Sequence, residues 1–251
     1  RMIGTLLHTG LQLAMRQRLR QIERLRREPV ALQGQQFAAL IAQGRRTAFG
    51  QAHGFDAIRS VQDFQQRVPV QHYEQFYPWL ERTLQGEADV LWPGRRDWFA
   101  KSSGTTNDRS KFIPMTRESL QQTHFAAGKD MIATYLANYP QSRLGAGKVL
   151  SIGGSHEISR FNAGARYGDL SAVLIQNMPA FYSWRRAPSR PVALMAEWEA
   201  KLQAIATECR AQRITGLAGV PTWTLVLLER LLAAEGKSDL REIWPDLEVF
   251  F

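Results

Sequence analysis

The run Lys101-Ser102-Ser103-Gly104-Thr105-Thr106-Asn107-Asp108-Arg109-Ser110-Lys111 decides how the rest of the sequence is read. Its eleven residues carry five hydroxyl side chains, one glycine and three cations. The apolar triplet Trp98-Phe99-Ala100 precedes it, and Pro114 to Glu118 after it read as a helix start. Short hydroxyls, open backbone N–H groups and cations are the donors a polyphosphate requires. In an open α/β sheet, a loop between a strand and a helix lies in the crevice where ligands bind. The competing reading is a polar surface turn closed by serine and threonine hydroxyls.

Working outward, strands and helices alternate. Val90 to Pro93 and Trp98 to Ala100 read as short strands around a turn at Gly94. Thr116 caps a helix expected to reach Tyr139, and Lys148 to Ile152 is a strand opening into Gly153-Gly154-Ser155. Residues 161–190 read as irregular with one short apolar run at 172–175. A helix from Pro191 to Gln212, a strand from Ile214 to Ala218 and a helix from Pro221 to Ala234 follow, the last stopped by Gly236. Such alternation predicts an α/β domain. N-terminal to it, residues 5–28, 33–49, 55–67 and 73–85 read as helices, with Pro29 ending the first. The expected division is a helical segment, 1–50, packed on the body, and part of a large α/β domain, 51–251. The sequence closes on Glu248-Val249-Phe250-Phe251, which reads as a buried strand inside which the chain stops. It predicts the front part of a longer protein.

Composition narrows the function classes. The chain has 251 residues, a net charge of +9 and one cysteine. A lone Cys209 allows no internal disulfide and fits a reducing cytoplasm. No run of apolar residues is long enough to span a membrane. Most of the charge sits in residues 1–50, which hold nine arginines and two glutamates. Nucleic-acid or anionic-membrane binding therefore narrows to one helix, with Leu11, Met15, Leu19, Ile22 and Leu25 on one face and Arg16, Arg20, Arg24 and Arg27 on the other. The leading reading of that helix is a structural one, with solvated arginines, and no nucleic-acid partner is expected. The aromatic stripe of Tyr73, Phe76, Tyr77 and Trp79 reads as core, because no cations interleave with it.

Several motifs are excluded by a single residue. Gly236-Lys237-Ser238 lacks the earlier glycine of a Walker loop, since Leu231 is there. His156-Glu157 meets Arg160 where a zinc protease needs a second histidine. Gly153-x-Ser155 meets Glu157 where a nucleophile elbow needs glycine. Gly145-x-Gly147 precedes a strand instead of following one, which excludes a dinucleotide loop. No metal-ligand cluster is evident.

The order Ser102-Ser103-Gly104-Thr105-Thr106, then Lys111, then Pro114, resembles the phosphate loop of adenylate-forming enzymes. The closer resemblance is to the acyl-acid amido synthetase family, which includes the plant auxin- and jasmonate-conjugating enzymes and bacterial relatives. Its pattern reads Ser-Ser-Gly-Thr-(Ser/Thr)-x-Gly-x-x-Lys-x-x-Pro; Asp108 departs from it where plant members usually carry glycine. Gly153-Gly154-Ser155-His156, Gly168-Asp169-Leu170-Ser171, Pro221-Thr222-Trp223-Thr224 and Trp244-Pro245-Asp246-Leu247-Glu248 are similar to bacterial relatives, so the resemblance runs from about residue 35 to the end.

The resemblance implies the incomplete large N-terminal domain of an adenylate-forming enzyme. It implies an ATP-dependent ligase that adenylates a carboxylic acid, with magnesium accompanying ATP, and passes the acyl group to an amine such as an amino acid. The alternatives are an acyl-CoA ligase of the same superfamily, or a basic binding protein. Ser102, Ser103, Gly104, Thr105, Thr106 and Lys111 are then the phosphate-binding set, Lys111 being the catalytic cation. Gly153, Gly154, Ser155, His156, Pro221 and Thr222 are candidates for the acyl pocket. The plant family's acyl-holding tyrosine and arginine fall at Ala127 and Asp130, so a plant-hormone substrate is not implied.

Overall fold

A computed structural model describes residues 2–102, 110–153, 158–161 and 164–251; in its first helix, side chains are described at 10, 11 and from 13 onward. The chain folds as two compact units. One comprises residues 1–19, 121–157 and 169–251, and the other residues 20–120 and 158–168.

The first helix, α1 (Met2–Arg27), is followed by α2 (Pro29–Gly44), α3 (Ala48–Ala52), α4 (Val61–Arg67) and α5 (Tyr73–Leu84). Pro29 ends α1 as expected, and also opens α2 from its first turn, where its missing N–H costs nothing. The helix expected at 33–49 divides, because Thr47 accepts from Gly50 N–H and so caps α3. Ser60 and Asp63 form a reciprocal capping box on α4.

The unit of residues 20–120 and 158–168 holds a mixed sheet in the order β2-β1-β5-β4, made of β1 (Trp98–Lys101), β2 (Phe112–Met115), β4 (Ser159–Arg160) and β5 (Arg166–Gly168). β1 runs antiparallel to β2 and parallel to β5. Its core gathers Leu80, Leu84, Phe99 and Ala165, with Tyr73, Phe76 and Tyr77 of the aromatic stripe half-buried against it, while Trp79 packs edge-on against Phe49. A second cluster, Ile41, Phe55 and Ile58, joins α2 to the segment after α3.

Two expectations are corrected here. Residues 90–93 form no strand: the turn closes on itself through Asp89, whose carboxylate accepts from Gly94 N–H at 2.6 Å. The carbonyls of Asp89 and Val90 are taken by the first N–H groups of α3, and Pro93 has no N–H to offer a ladder. Pro114 lies in β2, not in a helix start. β2 is an edge strand, where a residue lacking an N–H is tolerated. The helix begins afterwards at α6 (Arg117–Ser119), capped by Thr116, and passes through a π turn into α7 (Phe125–Asn138).

The unit of residues 1–19, 121–157 and 169–251 is built on an all-parallel sheet in the order β6-β3-β7-β8, made of β3 (Lys148–Ile152), β6 (Arg186–Ala187), β7 (Ile214–Gly219) and β8 (Val249–Phe250). Beside α7, its helices include α8 (Leu170–Gln176), α9 (Ala180–Trp184), α10 (Arg190–Ala193), α11 (Trp198–Cys209) and α12 (Pro221–Glu235). The described residues of 161–190, read as irregular, thus contain β5, α8, α9 and β6, and α10 begins at 190. The single helix expected over 191–212 is two, because the Glu197 carboxylate accepts from the N–H groups of Glu199 and Ala200 and starts α11 afresh. Leu150, Leu202, Ile205, Ile214, Leu227 and Leu231 pack into one core with Trp244. Each such aliphatic side chain contributes about 1.5–3 kcal/mol. Leu11, Met15 and Leu19 of α1 join a smaller cluster with Ala133, Leu136 and Leu144, while Leu25 is exposed.

One glycine is required by geometry. Gly219 ends β7 at φ 148°, and a Cβ there would lie 2.4 Å from the Ile152 carbonyl oxygen. Gly219→Ala should cost roughly 2 kcal/mol or more through backbone strain, read as a lowered urea midpoint. An unchanged midpoint would show that β3 and β7 can separate there without cost.

Candidate functional site

The hydroxyl-rich run joins β1 to β2. It is a hairpin connection, not the strand-to-helix loop expected, and its base is locked. Ser102 N–H donates to the Lys111 carbonyl at 2.9 Å, and Lys111 N–H donates to Ser102 Oγ at 2.9 Å. Ser102 Oγ therefore spends a lone pair on the base and keeps its own hydrogen for another acceptor. Lys111 Nζ lies 5.5 Å from the centre of the Tyr73 ring. A cation at that distance from an aromatic face is held by about 0.5–1 kcal/mol when exposed. Tyr73 Oη accepts from Phe112 N–H at 2.9 Å, so the same tyrosine fixes the backbone one residue on. Ser103, Gly104, Thr105 and Thr106 lie outside the described residues, as do Gly154, Ser155 and His156.

In the unit with the parallel sheet, Gly153 follows β3, and Pro221 and Thr222 open α12 two residues after β7. Ile152 is in register with Gly219. The structure thus brings Gly153, Pro221 and Thr222 to the carboxyl edge of one parallel sheet, where α/β folds bind ligands.

That edge also holds two residues the sequence reading missed. Lys201 of α11 is 2% exposed, and its Nζ lies 3.5 Å from Gly153 O, at the long limit of a hydrogen bond. Arg186 of β6 donates from Nε to Ser151 Oγ at 2.7 Å, and from its terminal nitrogens to Pro188 O and Ser151 O at 3.2 and 3.4 Å. Burial, reinforced by Arg186, lowers the Lys201 ammonium to about 8. Burial likewise lowers Arg186 to about 10. No periodic signal marks Lys201, because it flanks the Leu202–Ile205 stripe and reads as a solvent-facing residue.

Cys209 is buried as expected of a structural thiol. Burial, reinforced by Glu208, pushes it up to about 12. Its contribution to stability is fully present below the ordinary thiol range and is lost as pH rises toward that value. Ellman's reagent at mildly alkaline pH should leave Cys209 unreacted until the protein is unfolded; rapid reaction in the folded state would contradict this burial.

Part of the basic charge of α1 is paired within the chain. Arg24 pairs with Glu28, Arg26 and Arg27 pair with Glu23, and Arg18 makes a two-point pair with Asp130 of α7. Asp130, at one of the two acyl-holding places of the plant family, is thus engaged by Arg18. No helix among the described residues is long and apolar enough to cross a membrane. No group of three or more histidine, cysteine, aspartate or glutamate residues there is placed to hold a metal.

The fold, with its parallel sheet and a mixed sheet whose hairpin carries the serine- and threonine-rich run, matches the N-terminal part of a solved acyl acid amido synthetase. A family model described as the GH3 family N-terminal domain matches residues 18–251, and the chain belongs to that family. Among solved structures it is similar to a GH3.15 acyl acid amido synthetase, with a TM-score of 0.68 and 19% identity over 86% of this chain and 38% of that one. It is also similar to AtGH3.15 acyl acid amido synthetase in complex with 2,4-DB, with a TM-score of 0.62 and 18% identity over 78% of this chain and 34% of that one. The chain spans less than two fifths of the length of these relatives. No curated protein matches it.

Proposed function

We propose that this chain carries the phosphate-binding part of an ATP-dependent acyl-acid ligase that conjugates a carboxylic acid to an amine. The observation that carries the reading is the locked base of the hairpin, where Ser102 and Lys111 close a loop of hydroxyls in a member of the GH3 family. Lys111 is then the catalytic cation, and Ser102, Ser103, Thr105 and Thr106 are the donors, with Gly104 leaving room for the backbone to approach phosphate. ATP enters with magnesium on its phosphates. The two structural relatives are named as acyl acid amido synthetases, and one was solved in complex with 2,4-DB.

The reaction asks little covalent work of the loop. A carboxylate oxygen attacks the α-phosphorus, the bond to the β-phosphate breaks, and pyrophosphate leaves. An amine nitrogen then attacks the acyl carbon, AMP departs, and the nitrogen loses a proton. Negative charge builds on the departing pyrophosphate in the first step. Fixed donors aimed at that charge lower the barrier without reorganising. The Tyr73 ring limits where the Lys111 ammonium can go, so its charge is partly positioned beforehand. The acid belongs at the carboxyl edge of the parallel sheet, with Gly153, Gly154, Ser155, His156, Pro221 and Thr222 as its candidate surroundings.

Acid-dependent exchange of labelled pyrophosphate into ATP by the full-length protein tests the reading. Exchange that requires one acid of a diverse panel is the expected result. Its absence with every acid, from a folded protein that binds ATP, would refute it.

A further inference from the structure

A small cavity lies at the amino edge of the parallel sheet, the edge opposite Gly153, Pro221 and Thr222. Leu11 of α1, Ile132 of α7, Leu144 and Val149 of β3 line it with aliphatic side chains. Phe181 and Tyr182 of α9 complete the lining, with Arg185 directly after that helix. β3 carries the chain about 13 Å from Val149 to Gly153, so the two edges are separate places. The family match begins at residue 18, so the Leu11 wall comes from outside it. The cavity holds about 50 Å³. An engineered apolar cavity of about 150 Å³ stays dry and takes the six carbons of benzene, so this one has room for about two or three. Water there finds few polar partners, and an apolar group is the better occupant.

Charge defines the other end of that occupant. Arg185 is half-buried, and its guanidinium donates to the Leu144 carbonyl at 3.2 Å. Burial, reinforced by Arg213, lowers it. Arg213 is itself bound to Asp246 at 2.8 Å, whereas Arg185 has no carboxylate partner among the described residues. Lys129 stands over the Tyr182 ring, its Nζ 5.9 Å from the centre. No acidic residue precedes Glu23 in the sequence, so the part of α1 around Leu11 brings no carboxylate either. We propose that this cavity binds a short-chain monocarboxylate, whose apolar tail enters between Leu11, Ile132 and Val149 while its carboxylate meets the Arg185 guanidinium. A guanidinium matches a carboxylate with two parallel N–H donors, and part-burial strengthens the pair. The site is distinct from the place of the acid in the ligase reading and does not rest on that reading.

Calorimetric titration of the full-length protein with sodium butyrate, and with butyramide as its uncharged match in shape, tests this at constant ionic strength. Wild type should bind butyrate with a Kd in the millimolar range, and butyramide about tenfold more weakly or worse. Arg185→Gln should weaken butyrate to the level of butyramide, and Ile132→Phe, which fills the space, should abolish butyrate binding. Butyrate should raise the melting temperature of wild type and leave that of both variants unchanged. No binding by wild type, or equal affinity for butyrate and butyramide, would overturn the proposal. So would butyrate binding that survives Arg185→Gln or Ile132→Phe. The comparison of the two probes on wild type needs no variant, and decides the matter if a substitution prevents folding. Acid-dependent pyrophosphate exchange by Arg185→Gln should equal that of wild type. Exchange lost together with butyrate binding would put the probe in the substrate site and overturn the proposal. A wild type that exchanges no pyrophosphate refutes the ligase reading alone, and the titration still decides this site.

Discussion

Replacing Lys111 by alanine should lower acid-dependent pyrophosphate exchange by about 10²–10³-fold, the range seen when one preorganised donor to a developing anion is removed. The loss should appear mainly in kcat, because the interaction strengthens as pyrophosphate departs. Folding should be almost unaffected. Lys111 is partly exposed, and its described side-chain contact is the face of Tyr73. Lys111→Arg keeps the charge but spreads it over a planar fork, and should restore only part of the rate. A Lys111→Ala protein that exchanges pyrophosphate at the wild-type rate would remove this residue from the reaction.

Trp244→Ala should destabilise the parallel-sheet unit by about 3–5 kcal/mol, the usual range for emptying a buried aromatic site. Trp244 is 1% exposed and packs into the main core of that unit. Its indole N–H donates to the Cys209 carbonyl at 3.1 Å, which ties the segment before β8 to the end of α11. The alanine variant loses the packing and leaves that carbonyl without its partner. Trp244→Phe keeps most of the volume and should cost clearly less. Urea unfolding measures both; a loss below about 1 kcal/mol for the alanine variant would show that the core collapses to fill the space.

Of the parallel sheet, β3, β7 and β8 were legible because they are short, mainly apolar runs with sharp ends, while β6, two residues beginning with Arg186, left no such run. β3 lies between Gly147 and Gly153, and β7 runs from Ile214 into Gly219. α12 announces itself with Pro221 at its start and Gly236, left-handed at φ 61°, just past its end. The hairpin was less legible. Phe112–Met115 is four residues long and contains a proline, which reads as a helix start unless the strand is known to be at a sheet edge. The composition of the run pointed to phosphate all the same, and the locked pair Ser102–Lys111 now gives that composition a base. What the sequence did not reveal are pairings across long separations. Tyr73 meets Phe112 and Lys111 after nearly forty residues, and Lys201 meets Gly153 after nearly fifty. Neither leaves a local pattern, since helical periodicity reports which face is apolar and not what the flanking polar residue touches.

The central claim is that the hairpin between β1 and β2 receives the phosphates of ATP. A crystal structure of the full-length protein with a non-hydrolysable ATP analogue measures this directly. The account predicts phosphate oxygens within hydrogen-bonding distance of Ser102 Oγ and Lys111 Nζ. A triphosphate bound elsewhere, with both of those atoms facing solvent, would contradict it.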